Sequence, residues 1–238
     1  GELHLRTVLE EILDRYSLEV QTALPSIAYR ETITAAAEGH HRHKKQTGGA
    51  GQFGEVYLRI APLPAGSGFE FKSEVVGGAI PSQYIPAVES GVKQAMESGA
   101  SYGYPMQDIK VTVYDGKHHS VDSKEIAFVQ AGKRAFLDAV EKARPIVMEP
   151  IVDVTFTIPA DCAGGVTGDL SSMRGMVTGT EILPDTRMVV HGQAPLKEIQ
   201  GYHSRLKSLT GGDGSFTMDF SHYAEVPREA LDQVAAQN

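Results

Sequence analysis

Five of the nine histidines stand in two short clusters, His40, His41 and His43, then His118 and His119. Imidazoles at such spacing have two chemistries. They can ligate zinc, or they can hydrogen-bond and stack on RNA bases and phosphates. The first chemistry would make the chain a small metal-dependent enzyme if folding brought the two loops to one end. Against it, neither cluster holds a Cys, Asp or Glu as a further ligand, and nearby Asp122 is better placed to cap a helix. The run His40-His41-Arg42-His43-Lys44-Lys45 carries no acid, so it reads as a basic loop tip, or simply as a solvated loop.

A glycine-rich stretch follows at once. Gly49-Ala50-Gly51-Gln52-Phe53-Gly54-Glu55-Val56 matches the G-x-G-x-x-G-x-V of a kinase nucleotide loop. The chain contains neither H-R-D nor D-F-G, and a Rossmann turn would be followed by a helix rather than the β-patterned Val56 to Ile60. The segment is therefore expected to be a hairpin tip, either mobile or fitted closely against another backbone. Cys162 precedes a Gly-rich helix start, a position that can lower a thiol pKa, but no base lies nearby in sequence. Gly168-Asp169-Leu170-Ser171 is not a G-x-S-x-G elbow.

The elements that must carry these residues belong to a globular chain. With 238 residues, 41% hydrophobic and 22% charged, there is enough for one large or two ordinary domains. A single cysteine excludes an internal disulfide framework and fits a reducing cytoplasm. No apolar run reaches the roughly 18 residues of a membrane span. The net charge of −8 is uneven: −3 over residues 1–24, +1 over 25–147 and −6 over 148–238. A basic tip on an acidic body can touch phosphates locally without binding nucleic acid indiscriminately.

Leu5, Val8, Leu9 and Ile12 mark a helix at the very start, with no partner upstream, so the chain is expected to be a fragment. Strands are expected over 25–34, 55–60 and 69–76, then a helix over Ile85 to Met96 ending at Gly99. A strand at Ile109 to Val113 should close at Asp115-Gly116, and a helix capped by Asp122 should run to Arg144. Pro145 and Pro150 mark a domain boundary. Beyond it, strands at 151–158, 178–183, 187–191 and 215–220 alternate with helices at 166–173 and 196–209. That order, βαββαβ, is the ferredoxin-like split βαβ, a fold with many unrelated uses.

The string Lys45-Gln46-Thr47-Gly48-Gly49-Ala50-Gly51-Gln52-Phe53-Gly54 resembles the domain IV loop of the bacterial elongation factor G family. Further matches follow in order: Tyr29-Arg30-Glu31-Thr32, Gly77-Gly78, Gly103-Tyr104-Pro105, His119 with Val121-Asp122-Ser123, Glu149-Pro150-Ile151, Arg174-Gly175-Met176 and Phe216-Thr217-Met218. The resemblance implies an α+β chain in three parts. Residues 1–24 would be the tail of a truncated domain III, a helix and a strand. Residues 25–147 would be domain IV, of the ribosomal-protein-S-five type with a left-handed βαβ crossover, and residues 148–238 a ferredoxin-like domain V.

It also implies a translational GTPase that moves tRNA and mRNA on the ribosome, with ribosome recycling or ribosome protection as the other tasks of such paralogues. GTP and magnesium would bind a domain outside these residues, leaving this chain with no cofactor, no metal, no catalytic residue and no membrane partner. Lys45, Gly48, Gly49, Gly51, Gln52 and His119 would contact mRNA and tRNA in the decoding centre. Domain V would lie near the stalk base and the sarcin-ricin loop of the large-subunit rRNA. The protein would be a cytoplasmic monomer. Ala50, Phe53 and Ser172-Met173 depart from the family pattern, and the last two replace RNA-directed arginines.

Overall fold

The computed structural model describes residues 2–16, 25–46 and 48–235. Helix α1 (Glu2–Tyr16) forms on the apolar period read from the sequence, with Leu5 and Val8 exposed. The strand expected later in residues 1–24 lies outside the described residues.

The next part is built on a four-stranded sheet, β2 (Ala37–Lys45), β3 (Gln52–Pro62), β5 (Ile109–Lys117) and β4 (Phe69–Ser73), in that spatial order. β4 and β5 are parallel and joined through α2 (Ile85–Ser98), a βαβ unit, while the other pairs are antiparallel. α2 and α3 (Glu125–Lys142) cover one face. Val56, Leu58 and Ile60 alternate towards those helices with Ile109, Val111 and Val113, and meet Val88, Val92, Phe128 and Phe136 in one core. Helix comes unusually close to sheet, and helix to helix. A Cβ on Gly39 would lie 2.0 Å from the Ala135 carbonyl oxygen, and one on Gly91 of α2 would lie 2.0 Å from that of Val129.

Three expectations are corrected here. The basic run His40 to Lys45 is not a loop but the second half of β2, paired residue by residue with Tyr57 to Gln52. β5 does not close at Asp115-Gly116 but continues to Lys117 past a bulge opposite Tyr57 and Leu58. α3 starts at Glu125 after an extended Lys124 and has no side-chain cap, so Asp122 has a different task.

The last part is a sheet of spatial order β9-β6-β8-β7, made of β6 (Pro145–Pro159), β7 (Met176–Ile182), β8 (Arg187–Pro195) and β9 (Ser215–Glu225), all antiparallel. α4 (Ala163–Ser172), α5 (Leu196–Ile199) and α6 (His203–Thr210) supply a second core around Val154, Phe156, Ile158, Leu170 and Leu206. The single helix expected over 196–209 is broken by Gly201, whose φ of 84° no helix accommodates. A final helix, α7 (Arg228–Ala235), escaped the sequence reading although Leu231 and Val234 sit three apart on its inner side.

The boundary expected between 147 and 148 falls inside β6, which runs unbroken through Pro145 and Pro150. Its first residues pair with β1 (Arg30–Ile33), shorter than the strand expected over 25–34. Tyr29, Val147, Val226 and Val234 form a small third core where the two parts join.

Buried Glu31 ties β1 to the loop after α2. Its carboxylate accepts the backbone N–H of Ala100 and Tyr104, each at 3.0 Å, and of Tyr102 at 3.3 Å. Glu149 of β6, also buried, accepts a two-pronged ion pair from Arg174, with oxygens 2.6 and 3.1 Å from Nη1 and Nη2. Replacing Glu31 by Gln turns a donor towards those amides, and urea unfolding should show a loss of about 1–3 kcal/mol. Gly39→Ala should cost a similar 1–3 kcal/mol or more by overpacking against α3. Unchanged midpoints would contradict both contacts.

Candidate functional site

Two loops meet at one end of the four-stranded sheet. One joins β2 to β3 and holds Gln46 to Gly51, and the other runs from His118 to Lys124 between β5 and α3. The β2–β3 register ends at Lys45 opposite Gln52, so the glycines lie just beyond the last pair. Gly48 takes φ +51°, a left-handed value that favours glycine, with nothing within 4 Å of where a Cβ would stand. Gly51 is glycine for another reason. It is buried, and a Cβ there would lie 2.9 Å from the Asp122 carboxylate carbon.

The loops are also bonded. Phe53 N–H donates to the Asp122 carbonyl at 2.9 Å, and Ser123 Oγ donates to the Phe53 carbonyl at 3.0 Å. Ser123 Oγ accepts from His119 N–H at 2.8 Å. The tip is thus a hairpin end fitted closely against a second backbone, the sharper of the two readings offered for the glycine stretch. The last glycine of that stretch, Gly54, lies against α3, where a Cβ would be 3.2 Å from Ala127, so it serves packing.

Of the six residues singled out by sequence, Lys45, Gly48, Gly49 and His119 are exposed at this end. Gly51 is not, and Gln52 is half-buried with its side-chain oxygen 3.0 Å from His43 Nε2. Arg42 lies over the Phe53 ring at 5.2 Å, and Phe53 and His119 have ring centres 6.2 Å apart. Asp122 and Ser123 are the contributors whose structural role the sequence hid. Their only signal was the Val121-Asp122-Ser123 match, because a loop-to-loop contact leaves no periodicity.

The histidines do not gather. Successive β2 residues face opposite sides of the sheet. His40 stacks on Tyr57 and reaches Glu55 at 2.7 Å, whereas His41 lies beside Arg134 and Asp138 of α3. Partial burial and the Arg134 charge both lower the His41 pKa, which keeps that ring neutral. Among the described residues no three His, Cys, Asp or Glu side chains come together as a metal site, so the metal-enzyme reading lacks its ligands.

Two further readings change. Desolvation, reinforced by the adjacent Asp161 carboxylate, raises the Cys162 pKa rather than lowering it, which removes the basis for a nucleophile. Arg174, of the Arg174-Gly175-Met176 match, is held by Glu149 and by Glu198 at 3.3 Å, so its charge faces protein.

Comparisons with known proteins agree with this architecture. The family described as "Elongation factor G, domain IV" matches residues 25–144, and that described as "Elongation factor G C-terminus" matches 146–234. An elongation factor G of Aquifex pyrophilus is 46% identical over 237 residues, covering 100% of this chain and 34% of that protein. A crystal structure from Thermus thermophilus superposes with a TM-score of 0.88 at 41% identity, again over 100% of this chain and 36% of the other. The chain thus spans about a third of the length of the relatives it matches. It belongs to the elongation factor G family, and its two sheets carry that family's domain IV and its C-terminal domain.

Proposed function

We propose that this chain is the ribosome-engaging part of a translational GTPase that moves tRNA and mRNA, and that the joined tip of the β2–β3 and His118–Lys124 loops contacts RNA in the decoding centre. The observation that supports it most is the composition of the tip's exposed rim. Lys44, Lys45 and His119 are exposed at the same end as Gly48 and Gly49, where the two loops are hydrogen-bonded to each other. Cations attract phosphates, and glycine lets a backbone approach them closely. Gly51 and Gln52 contribute by holding the tip's shape. The domain V-like part would face the large subunit, near the stalk base and the sarcin-ricin loop.

The GTP and magnesium of such a factor belong elsewhere. No G-x-x-x-x-G-K-[ST] occurs in these 238 residues, so no residue here fits the role of a phosphate cradle. Calorimetry on the chain should show no GTP binding, and micromolar affinity would overturn that assignment.

In a complete factor carrying these residues, His119→Ala should slow messenger movement and leave GTP hydrolysis near the parent rate. Loss of one hydrogen bond to a charged group, roughly 1.5–3 kcal/mol, corresponds to about ten- to a hundredfold if it is made only in the transition state. Lys45→Gln should instead weaken ribosome affinity and lower the salt dependence of binding by about one counterion. Rapid-kinetic measurement of messenger movement and phosphate release separates the two. Parent rates for His119→Ala and for Gly51→Val would make recycling the better assignment.

A further inference from the structure

We propose that Ser123 is the positioning residue of the tip, and that it sets His119 as a donor, through Nε2–H alone, to a phosphate oxygen of RNA. The phosphate half rests on the function proposed above; the Ser123 half rests on geometry alone.

Ser123 is held from three directions. Its Oγ gives its hydrogen to the Phe53 carbonyl of β3 and accepts from His119 N–H. Its own N–H donates to the His119 carbonyl at 3.2 Å, and its carbonyl accepts the Tyr84 hydroxyl at 3.0 Å. Tyr84 is in turn stacked on Phe128 of α3 with ring centres 4.8 Å apart. Ser123 therefore links the hairpin strand to the backbone of His119 through its side chain, and the histidine loop to the helix layer through its carbonyl.

The ring itself is oriented by two bonds to one nitrogen. Nδ1 accepts the N–H of Val121 and of Asp122, each at 3.2 Å. A nitrogen that accepts cannot carry the proton of a neutral imidazole, so the proton is on Nε2. The Asp122 carboxylate, 3.7 Å from Nδ1, is too far to be a hydrogen-bond partner. His118 is its opposite. Nδ1 of that ring is 3.2 Å from the Ala79 carbonyl, which can only accept, so the proton there is on Nδ1. Two adjacent exposed imidazoles are thus held in opposite tautomers, and only His119 turns a donor outward. Lys44 and Lys45, exposed at the same end, add donors that a hydrogen-bond acceptor can meet, and phosphate oxygen is an acceptor that RNA offers at every nucleotide.

The positioning half can be tested without a ribosome, by ¹⁵N NMR of the histidine rings in the 238-residue chain above the imidazole titration range. His119 should show a single Nε2–H form and His118 an Nδ1–H form. Ser123→Ala should release His119 into a mixture of tautomers, and Ser123→Thr, which keeps the hydroxyl, should restore the single form. An Nδ1–H form for His119 in the parent, or an unchanged ring signature in Ser123→Ala, overturns this half.

The donor half is tested by messenger movement in the complete factor. His119→Gln can place an amide N–H where Nε2 stands, whereas His119→Asn can only replace the inward Nδ1 acceptor. Asn should slow movement about tenfold or more, and Gln should stay within a few-fold of the parent. Ser123→Ala should slow movement and Ser123→Thr should recover it. The reverse order of Asn and Gln refutes the Nε2 donor while leaving RNA contact by the tip in place. Parent rates for every variant, His119→Ala included, refute the RNA contact itself and leave the NMR result to judge Ser123.

Discussion

The close approach of α3 to the sheet is the constraint on which the rest of the tip depends. Gly39 leaves no room for a side chain between strand and helix and Gly54 leaves only a tight fit, while Gly91 and Gly132 bring α2 and α3 equally close. Contact at backbone distance fixes where α3 lies, because any slide would drive one backbone into another. The residues just before α3 are therefore delivered to a definite place. That place is the end of the β2–β3 hairpin, where Asp122 fills the space a Cβ on Gly51 would need and Ser123 bonds to Phe53. A functional loop held in this way inherits the rigidity of the core beneath it.

The two parts of the chain are joined by a strand rather than by a linker. β6 opens as the partner of β1 and continues as a central strand of the ferredoxin-like sheet. Around this junction lie two buried carboxylates with different partners. Glu31 satisfies three backbone amides of the loop containing Gly103-Tyr104-Pro105, and Glu149 meets the Arg174 guanidinium. A buried charge left unpaired is expensive, so each carboxylate specifies its neighbours more than it adds net stability. Several of the motifs that resemble the family's sequence are thereby accounted for by folding rather than by RNA.

Local physics was legible in the sequence where it repeats. The alternation of Val56, Leu58 and Ile60 located β3, and the helical face through Val88, Val92 and Met96 located α2, which Gly99 closes as expected. What failed was non-local. A basic run with three histidines suggested a loop on composition, yet pairing with Tyr57 to Gln52 makes it a strand. Asp122 has the spacing of a helix cap but is recruited by Gly51 and His119, a choice set by the hairpin on the other side of the tip. The left-handed turn at Gly201 was hidden inside an apolar period that ran across it. At the tip, Lys45, Gly48, Gly49 and His119 are exposed, whereas Gly51 is buried against Asp122 and Gln52 is half-buried beside His43.

On the proposed function, the exposed end formed by the two loops meets RNA while the core behind it stays rigid. Cryo-electron microscopy of a complete factor carrying these residues, trapped on a ribosome during movement, tests this most directly. His119 and the Lys45 to Gly49 loop should lie within hydrogen-bond distance of tRNA or mRNA, with Ser123 still bonded to Phe53. A tip lying in solvent or against ribosomal protein, or one whose two loops have separated, would contradict it.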